Sequence, residues 1–223
     1  MENKAKKPLE LYIHVPFCVK KCDYCDFLSG PAGKERQAEY FQALQREVAS
    51  VPDFPDREIT TVFIGGGTPS VPDPALIGAV LDQIRNKFFM APDAEITIEA
   101  NPGTLYKEKL EDYLEHGVNR LSLGLQSPQN RELKILGRIH TWEEFLESFS
   151  LAREAGFSNI NIDLMSAIPD QTYEDWKKNL CTVAALGPEH ISAYSLIVEE
   201  GTPFRERDLK LPDEDTEYRM YED

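Results

Sequence analysis

The feature that most constrains the fold of this chain is a repeated alternation of short β-rich segments with longer helical ones. Six segments read as strands: Leu11–Val15, Thr61–Gly65, Glu95–Ala100, Arg120–Gln126, Asn159–Met165 and His190–Val198. Five stretches between them read as helices: Lys34–Ser50, Asp73–Phe89, Leu105–His116, Thr141–Ala155 and Thr172–Leu186. Strands that alternate with helices favour a parallel sheet with right-handed crossovers. We therefore predict an α/β fold.

The residue pattern within these strands indicates a curved sheet rather than a flat one. In the fourth predicted strand the leucines share one face, while Ser122, Gly124 and Gln126 share the other. Three further strands carry a polar side chain on the face opposite their aliphatic residues: Tyr12, Glu99 and Asp163. Because a parallel strand packed on both faces is nearly all apolar, the polar face is expected to line a ligand cavity. We predict a six-stranded partial (three-quarter) TIM-like barrel; a sheet with one solvated face is the alternative.

The acidic composition argues against a nucleic-acid partner. The chain has 24 Lys and Arg residues against 39 Asp and Glu, a formal net charge of −15. Such a surface repels phosphate backbones. No apolar run reaches the roughly 18 residues that cross a bilayer, and residues 1–8 lack the apolar segment of a signal peptide. We therefore predict a cytoplasmic protein with no membrane span and no nucleic-acid partner.

The strand–helix units follow one another without a low-complexity linker or a clean domain boundary. We expect residues 1–10 to be an N-terminal extension and residues 11–205 to form one core domain. The last residues read as an incoming helix that stops at Asp223. We therefore expect residues 206–223 to be the start of a truncated C-terminal region.

Three of the four cysteines, Cys18, Cys22 and Cys25, form a C-x3-C-x2-C pattern directly after the first predicted strand. In a reducing cytosol such a group holds a metal or an iron–sulfur centre more often than a disulfide. Three thiolates can bind three corners of a [4Fe–4S] cluster and leave the fourth iron open. A zinc site that adds His14 is the alternative, but the position at the C-terminal end of a barrel strand favours the cluster. Cys181 lies in an apolar stretch, where we expect a buried, inert thiol.

The cysteine loop and a series of later motifs resemble the radical SAM superfamily. The loop follows Tyr12-Ile13-His14-Val15-Pro16-Phe17, and Gly65-Gly66-Gly67-Thr68-Pro69-Ser70 follows the second strand. The other motifs are Glu99-Ala100-Asn101-Pro102, Gly124-Leu125-Gln126-Ser127, Leu136-Gly137-Arg138, Asn161-Ile162-Asp163-Leu164-Met165, Ile168-Pro169-Asp170-Gln171-Thr172, Tyr194-Ser195-Leu196 and Glu200-Gly201-Thr202-Pro203. Together they are similar to the oxygen-independent coproporphyrinogen III oxidase-like family over roughly residues 11–204.

The resemblance implies a radical SAM core with a [4Fe–4S] cluster on Cys18, Cys22 and Cys25 and S-adenosylmethionine on its open iron. The residues expected to bind this cofactor are Tyr12, Tyr24, Gly66, Gly67, Thr68, Glu99, Gln126, Arg138 and Asp163. The glycines would let the backbone approach the methionine end, and the Arg138 fork suits a carboxylate. The polar strand residues would bind the amino group and the ribose hydroxyls. For His14, ligand binding and a hydrogen bond to the loop backbone remain equal alternatives.

Phe27 decides between two branches of the family. Oxidases of the family carry a further cysteine two positions after the third, whereas this chain reads Cys25-Asp26-Phe27. The form found here resembles the heme-chaperone (HemW-type) branch, which binds heme and delivers it to recipient hemoproteins. An electron donor and heme or a porphyrin are then the implied partners. The heme-associated His-Asn-x-x-Tyr-Trp motif of that branch is absent from this sequence.

Other functional classes agree less well with these residues. Under the resemblance the chain would cleave S-adenosylmethionine if it were catalytic, and coproporphyrinogen III oxidation is the alternative to heme delivery. An electron-transfer or metal-storage protein would account for the cysteines but not for the later motifs. A tRNA-modifying radical enzyme would need a basic surface, which this composition does not provide.

Overall fold

Six parallel strands form the single sheet of the described chain, residues 6–222 of a computed structural model. The strands are β1 (Lys7–Val15), β2 (Arg57–Gly66), β3 (Met90–Ala100), β4 (Arg120–Gln126), β5 (Ile160–Ser166) and β6 (His190–Ser195). The helices are α1 (Lys34–Ser50), α2 (Pro74–Lys87), α3 (Lys107–Glu115), α4 (Asn130–Ile135), α5 (Trp142–Ala155), α6 (Tyr173–Ala184) and α7 (Glu214–Glu222). One 3₁₀ turn covers Pro203–Glu206.

The strand order explains why the sheet curves into a partial barrel. Neighbouring strands follow the chain from β1 to β6 without a reversal, and each pair is parallel. Because right-handed crossovers that always step in one direction place every connecting helix on the same face, the opposite face becomes concave and stays free of helices. The predicted six-stranded partial TIM-like barrel is confirmed, and β1 and β6 are its two edges.

The aliphatic face of the sheet packs against the helices and forms the main core. Leu121, Leu123 and Leu125 of β4 are all buried, and so are Ile160 and Ile162 of β5. Burying each such side chain contributes about 1.5–3 kcal/mol. The alternation seen in the sequence therefore corresponds to a physical division, with one parity in the core and the other on the concave face.

Local signals explain where the helices begin and end. Thr141 and Thr172 each form a capping box at the first turn of α5 and α6, which satisfies backbone N–H groups that have no partner within the helix. Gly156 ends α5 in the left-handed conformation, at φ 115°. A residue with a Cβ is strained there, so glycine is favoured.

Several boundaries differ from the sequence-based expectation. β1 begins at Lys7 and pairs with β2 from there, so residues 7–10 of the expected N-terminal extension belong to the sheet, while residues 1–5 lie outside the described chain. The sequence did not indicate this start because Lys7, Pro8 and Glu10 are exposed, and only Leu9 among these four residues packs against the core. The short helix α4 was not predicted either, because six residues hold less than two turns of apolar periodicity.

The expectation of a buried Cys181 is wrong, because this thiol is exposed. Helix α6 buries Trp176, Asn179 and Val183. Cys181 lies two residues from both Asn179 and Val183, and at 3.6 residues per turn this spacing points it away from the core. The apolar character of its neighbours did not reveal which face of the helix it occupies.

Among residues 6–222, no helix combines the length with the apolar character that crossing a bilayer requires.

We predict that Leu123→Ala lowers the free energy of unfolding of the apo-protein by about 2–5 kcal/mol, because it leaves a cavity in the core. Leu123 is 0% exposed. Urea unfolding followed by circular dichroism measures the change. The matched control is Leu28→Ala, at a leucine that is 86% exposed, where a change within about 0.5 kcal/mol is expected. Equal losses from the two variants would contradict the assigned core.

Candidate cofactor site

A cavity of about 370 Å³ opens at the C-terminal ends of the strands, on the concave face of the sheet. This volume lies within the roughly 300–1,000 Å³ of small-molecule sites. Its lining includes Glu99 of β3, Gln126 of β4 and Asp163 of β5. These three polar side chains therefore meet in one place, as strand parity predicted. The barrel end where they meet is the one that carries active sites in related architectures.

The loop between β1 and α1 brings all three clustered cysteines to the cavity wall. The loop is closed at its base, because the Cys18 amide donates to the Gly30 carbonyl at 3.1 Å and the Gly30 amide donates to the Pro16 carbonyl at 3.0 Å. Within it, the Cys25 amide donates to the Cys22 carbonyl at 3.2 Å. The three cysteines are free thiols in the structure.

Two distant segments hold the middle of the cysteine loop. The Asp23 amide donates to the Leu136 carbonyl at 3.2 Å, just after α4. The Asp23 carbonyl accepts from the Phe204 amide at 3.1 Å, and the Asp23 carboxylate pairs with Arg207 at 2.8 Å. Since Asp23 lies between Cys22 and Cys25, these contacts set where those two sulfurs stand.

The zinc alternative needs His14 beside the three thiols. Among residues 6–222, no three His, Cys, Asp or Glu side chains converge on one ion position. His14 is also engaged elsewhere, with Nδ1 at 3.2 Å from the Tyr12 hydroxyl and Nε2 at 3.2 Å from the Leu28 carbonyl. Both ring nitrogens of His14 therefore have hydrogen-bond partners other than the cysteine sulfurs.

Burial raises the pKa of the Cys25 thiol, and the neighbouring Cys22 and Cys18 sulfurs add to the effect. All three cysteines line the same cavity. A thiol in this position loses its proton when it coordinates a metal. The donor set therefore fits a [4Fe–4S] cluster bound by Cys18, Cys22 and Cys25.

The glycine-rich turn after β2 packs directly against the cysteine loop. The Gly67 amide donates to the Val15 carbonyl at 2.9 Å, and the Thr68 amide donates to the Phe17 carbonyl at 2.6 Å. A Cβ on Gly67 would stand 2.7 Å from the Phe17 carbonyl oxygen and 3.0 Å from the Cys18 sulfur. Glycine is required at this position because the loop backbone fills the space of a side chain.

Gly66 and Thr68 complete this turn beside the cavity. Gly66 has φ 118°, and a Cβ there would meet the His14 ring at 2.6 Å. The Thr68 hydroxyl lies 3.7 Å from the Cys18 sulfur and accepts from the Asn101 side chain at 2.8 Å. The turn thus supports the cysteine loop and also presents backbone to the cavity.

Arg138 is anchored by protein groups. Its Nη2 donates to the Asn101 side-chain oxygen and to the Gly124 carbonyl, both at 2.6 Å. Its Nη1 stands 3.5 Å from the Cys22 sulfur. The sequence suggested a fork held open for a ligand carboxylate, but only part of that fork remains for one. The contact places a fixed positive charge beside the Cys22 sulfur.

Glu99 is an acid whose protonation changes near neutral pH. Burial raises its pKa to about 7, the Asp163 charge adds to this, and a hydrogen bond from the Gly66 amide at 3.1 Å opposes it. Burial also raises the pKa of Asp163, which accepts from Asn161 at 2.7 Å and from Ser122 at 3.3 Å. Two partly buried carboxylates in one cavity favour a ligand that brings positive charge or hydrogen-bond donors.

Gln126 stands at an irregular point of β4. Its φ of 72° is unusual for a residue with a side chain, and the register with β5 shifts between Gly124 and Gln126. Its side-chain oxygen accepts from the Tyr194 hydroxyl at 2.6 Å. Strained backbone of this kind is concentrated at functional sites.

The two predicted tyrosines differ in position. Tyr24 lines the cavity next to Arg138, and burial raises its pKa. Tyr12 is on the concave side but outside the cavity lining: it is 62% exposed and stacks on Phe63 with 6.2 Å between ring centroids. Its expected place beside the cofactor stays a prediction. Strand parity gave its face correctly but not its height along the barrel axis.

Asn101 and Tyr194 are site residues that the sequence analysis did not single out. Asn101 links Arg138 to Thr68, and Tyr194 holds Gln126. Both stand in quoted motifs at or just past the ends of strands. That position was the available signal, because parallel strands bring their C-terminal ends to one edge.

Comparison with known proteins agrees with this geometry. The Radical SAM superfamily profile matches residues 12–180. Heme chaperone HemW of Escherichia coli is 42% identical over 217 residues, with 96% of this chain and 57% of the relative covered. HemW of Bacillus subtilis is 39% identical, covering 95% of this chain and 57% of the relative. This chain therefore spans a little over half the length of these relatives.

Solved structures show the same architecture. Coproporphyrinogen III oxidase HemN of Escherichia coli, a radical SAM enzyme, superposes with a TM-score of 0.87 at 30% identity, over 99% of this chain and 52% of that one. The archaeal Elp3 of Methanocaldococcus infernus superposes with a TM-score of 0.67 at 17% identity, over 98% of this chain and 53% of that one. The second likeness concerns the fold alone.

We predict that alanine at Cys18, Cys22 or Cys25 abolishes cluster assembly, because each removes one of three iron ligands. Anaerobic reconstitution should give a brown wild-type protein with about four irons per chain. Cys181→Ala is the matched control, since this exposed thiol lies outside the cavity lining, and it should retain the full iron content. A colourless wild-type protein with stoichiometric zinc would contradict the assignment.

We predict that the affinity for S-adenosylmethionine falls as the pH drops below about 7, because protonated Glu99 no longer attracts the ligand's amino group. Calorimetry between pH 6 and 8.5 should show a loss that approaches tenfold per pH unit below the pKa. The Glu99→Gln variant should bind S-adenosylmethionine weakly, and its affinity should depend less on pH. Because the titration of the ligand itself affects both proteins equally, the difference between the two profiles reports on Glu99. Parallel profiles for the two proteins would remove Glu99 from the site.

Proposed function

This chain belongs to the radical SAM superfamily, and on that premise we propose that it binds heme and delivers it to hemoproteins. The observation that carries the proposal is the residue Phe27. It occupies the position at which the oxidases of the similar family carry an additional cysteine. Its side chain lines the cavity and is 64% exposed. The HemW relatives, at up to 42% identity, are named as heme chaperones.

The cluster and its cofactor would be held by different parts of the site. Cys18, Cys22 and Cys25 would bind three irons, and S-adenosylmethionine would bind the fourth. When bound, the reduced cluster supplies an electron that can cleave the sulfonium bond of the cofactor. The protein contributes binding, orientation and electrostatics to such chemistry.

The polar residues of the cavity would orient the cofactor. Glu99, in its ionised form, would accept hydrogen bonds from the amino group. Asp163 and Gln126 would accept hydrogen bonds from the ribose hydroxyls. The remaining donors of Arg138 would pair with the carboxylate, and Gly66 and Gly67 would let the methionine end lie close to the backbone. Each of these residues lines the cavity, so their mutual placement supports the assignment.

Phe27 would give the cavity mouth an apolar side chain where a thiolate would bring charge. A second exposed apolar residue of the lining, Ile197, stands at the same cavity. A heme macrocycle is flat and mostly apolar, so exposed side chains of this kind suit it. We propose heme as the further ligand on this ground.

Coproporphyrinogen III oxidation is the second candidate function. The structural likeness to HemN, with a TM-score of 0.87, favours it. The same fold serves both functions, however, and the decision depends on the site. Phe27 removes the thiol that the oxidase branch carries, and this difference favours heme delivery.

We further propose recipient hemoproteins and an electron donor as partners, and the cytoplasm as the compartment. Heme delivery needs a recipient, and reduction of the cluster needs a donor. Free thiols that hold a cluster persist in a reducing compartment, which supports the location.

We predict that the reconstituted protein binds heme, transfers it to an apo-hemoprotein and forms no protoporphyrinogen IX. The assay supplies reductant, S-adenosylmethionine and coproporphyrinogen III under anaerobic conditions and follows the product by fluorescence after oxidation. The Escherichia coli oxidase, run in parallel, is the positive control. Product formed over many turnovers would overturn the chaperone proposal in favour of the oxidase.

A further inference from the structure

Glu132 of α4 is a carboxylate with 0% of its surface exposed. Its Oε2 accepts from the Ser127 hydroxyl at 2.6 Å, from Asn179 at 2.8 Å and from Gln171 at 3.0 Å. Its Oε1 accepts from Gln129 at 3.3 Å. The donors come from the segment after β4, the segment after β5 and helix α6, so one side chain ties three parts of the barrel to α4.

The Glu132 carboxylate is stabilised in the interior mainly by well-placed neutral hydrogen-bond donors and less by a neighbouring positive charge. The nearest cation is Arg131, 3.6 Å away, which is half exposed and also pairs with Asp175 at 3.3 Å. Burying a carboxylate is costly unless its oxygens are fully satisfied. The four neutral donors satisfy Glu132 only when α4 occupies one position, so the network acts as a positional lock.

Helix α4 leads directly into the cofactor site. The Leu136 amide donates to the Glu132 carbonyl at 3.0 Å, and the Arg138 amide donates to the Leu133 carbonyl at 2.9 Å. The Leu136 carbonyl then accepts from the Asp23 amide at 3.2 Å. A displacement of α4 would therefore move Arg138 and the cysteine loop together.

We propose that Glu132 is a positioning residue that places Arg138 against Cys22 and against the bound cofactor. This proposal rests on the part of the proposed function that concerns S-adenosylmethionine binding, and it is independent of heme binding. Glu132 touches none of the cavity-lining residues in the hydrogen bonds described, so its influence passes through the α4 backbone.

The test compares Glu132→Gln with Lys134→Gln, an exposed position on the same helix. In Glu132→Gln, an NH2 group replaces one carboxylate oxygen and faces side chains that also donate hydrogen bonds. At least one of these side chains therefore loses its acceptor. We expect the Kd for S-adenosylmethionine to rise about tenfold or more, as when supporting residues around a metal site are removed. Hydrogen exchange of the amides at 133–138 should speed up in the apo-protein. The control should change neither quantity.

A double-mutant cycle separates positioning from general destabilisation. If Glu132 acts through Arg138, Glu132→Gln adds little to the loss of cofactor affinity already caused by Arg138→Ala. Additive losses would overturn the proposal, as would a wild-type Kd in the single variant. Asn179→Ala removes one hydrogen-bond donor to Oε2 of Glu132 and should give a smaller loss of cofactor affinity. This variant replaces Glu132→Gln in the test if that variant fails to fold. A wild-type protein that binds no S-adenosylmethionine would instead refute the proposed function.

Discussion

The structure depends on the close contact between the glycine-rich turn and the cysteine loop. Backbone hydrogen bonds from Gly67 and Thr68 hold the start of that loop across the end of the sheet. The contact is possible because Gly67 has no Cβ, whose place is taken by the Phe17 carbonyl and the Cys18 sulfur. A side chain at this position would push the loop away from the strand ends. The thiols and the polar strand residues would then no longer share one cavity.

A chain of polar contacts extends this arrangement across the site. Thr68 is near the Cys18 sulfur and receives a hydrogen bond from Asn101, which in turn accepts from Arg138. Arg138 reaches the Cys22 sulfur at the far end. Two of the three cysteines of the loop are thus connected through residues of three different strand–helix units. Such networks are stiff when every member is satisfied, so the site is largely preorganised for its cofactor.

The electrostatics of the cavity suit a ligand with charges of both signs. Glu99 and Asp163 are partly buried acids with raised pKa values, while Arg138 supplies a fixed positive charge on the cysteine side. An amino acid moiety carries an ammonium group, which can pair with the two acids, and a carboxylate, which can pair with Arg138. The overall charge of −15 is a property of the surface and says little about this local balance, since exposed charges are screened by salt within about 10 Å.

The sequence by itself determined the class of fold, the strand faces and the cysteine loop. Strand–helix alternation and strand parity are local patterns with periods of two and 3.6 residues, so Glu99, Gln126 and Asp163 could be assigned to the concave face without a structure. Tertiary structure alone decided which groups these and other residues contact. Arg138 meets a sulfur 116 positions away, Glu132 collects donors from three segments, and Tyr12 lies outside the cavity although its parity is correct. Such partners depend on how whole elements are stacked and tilted, and no local period records that.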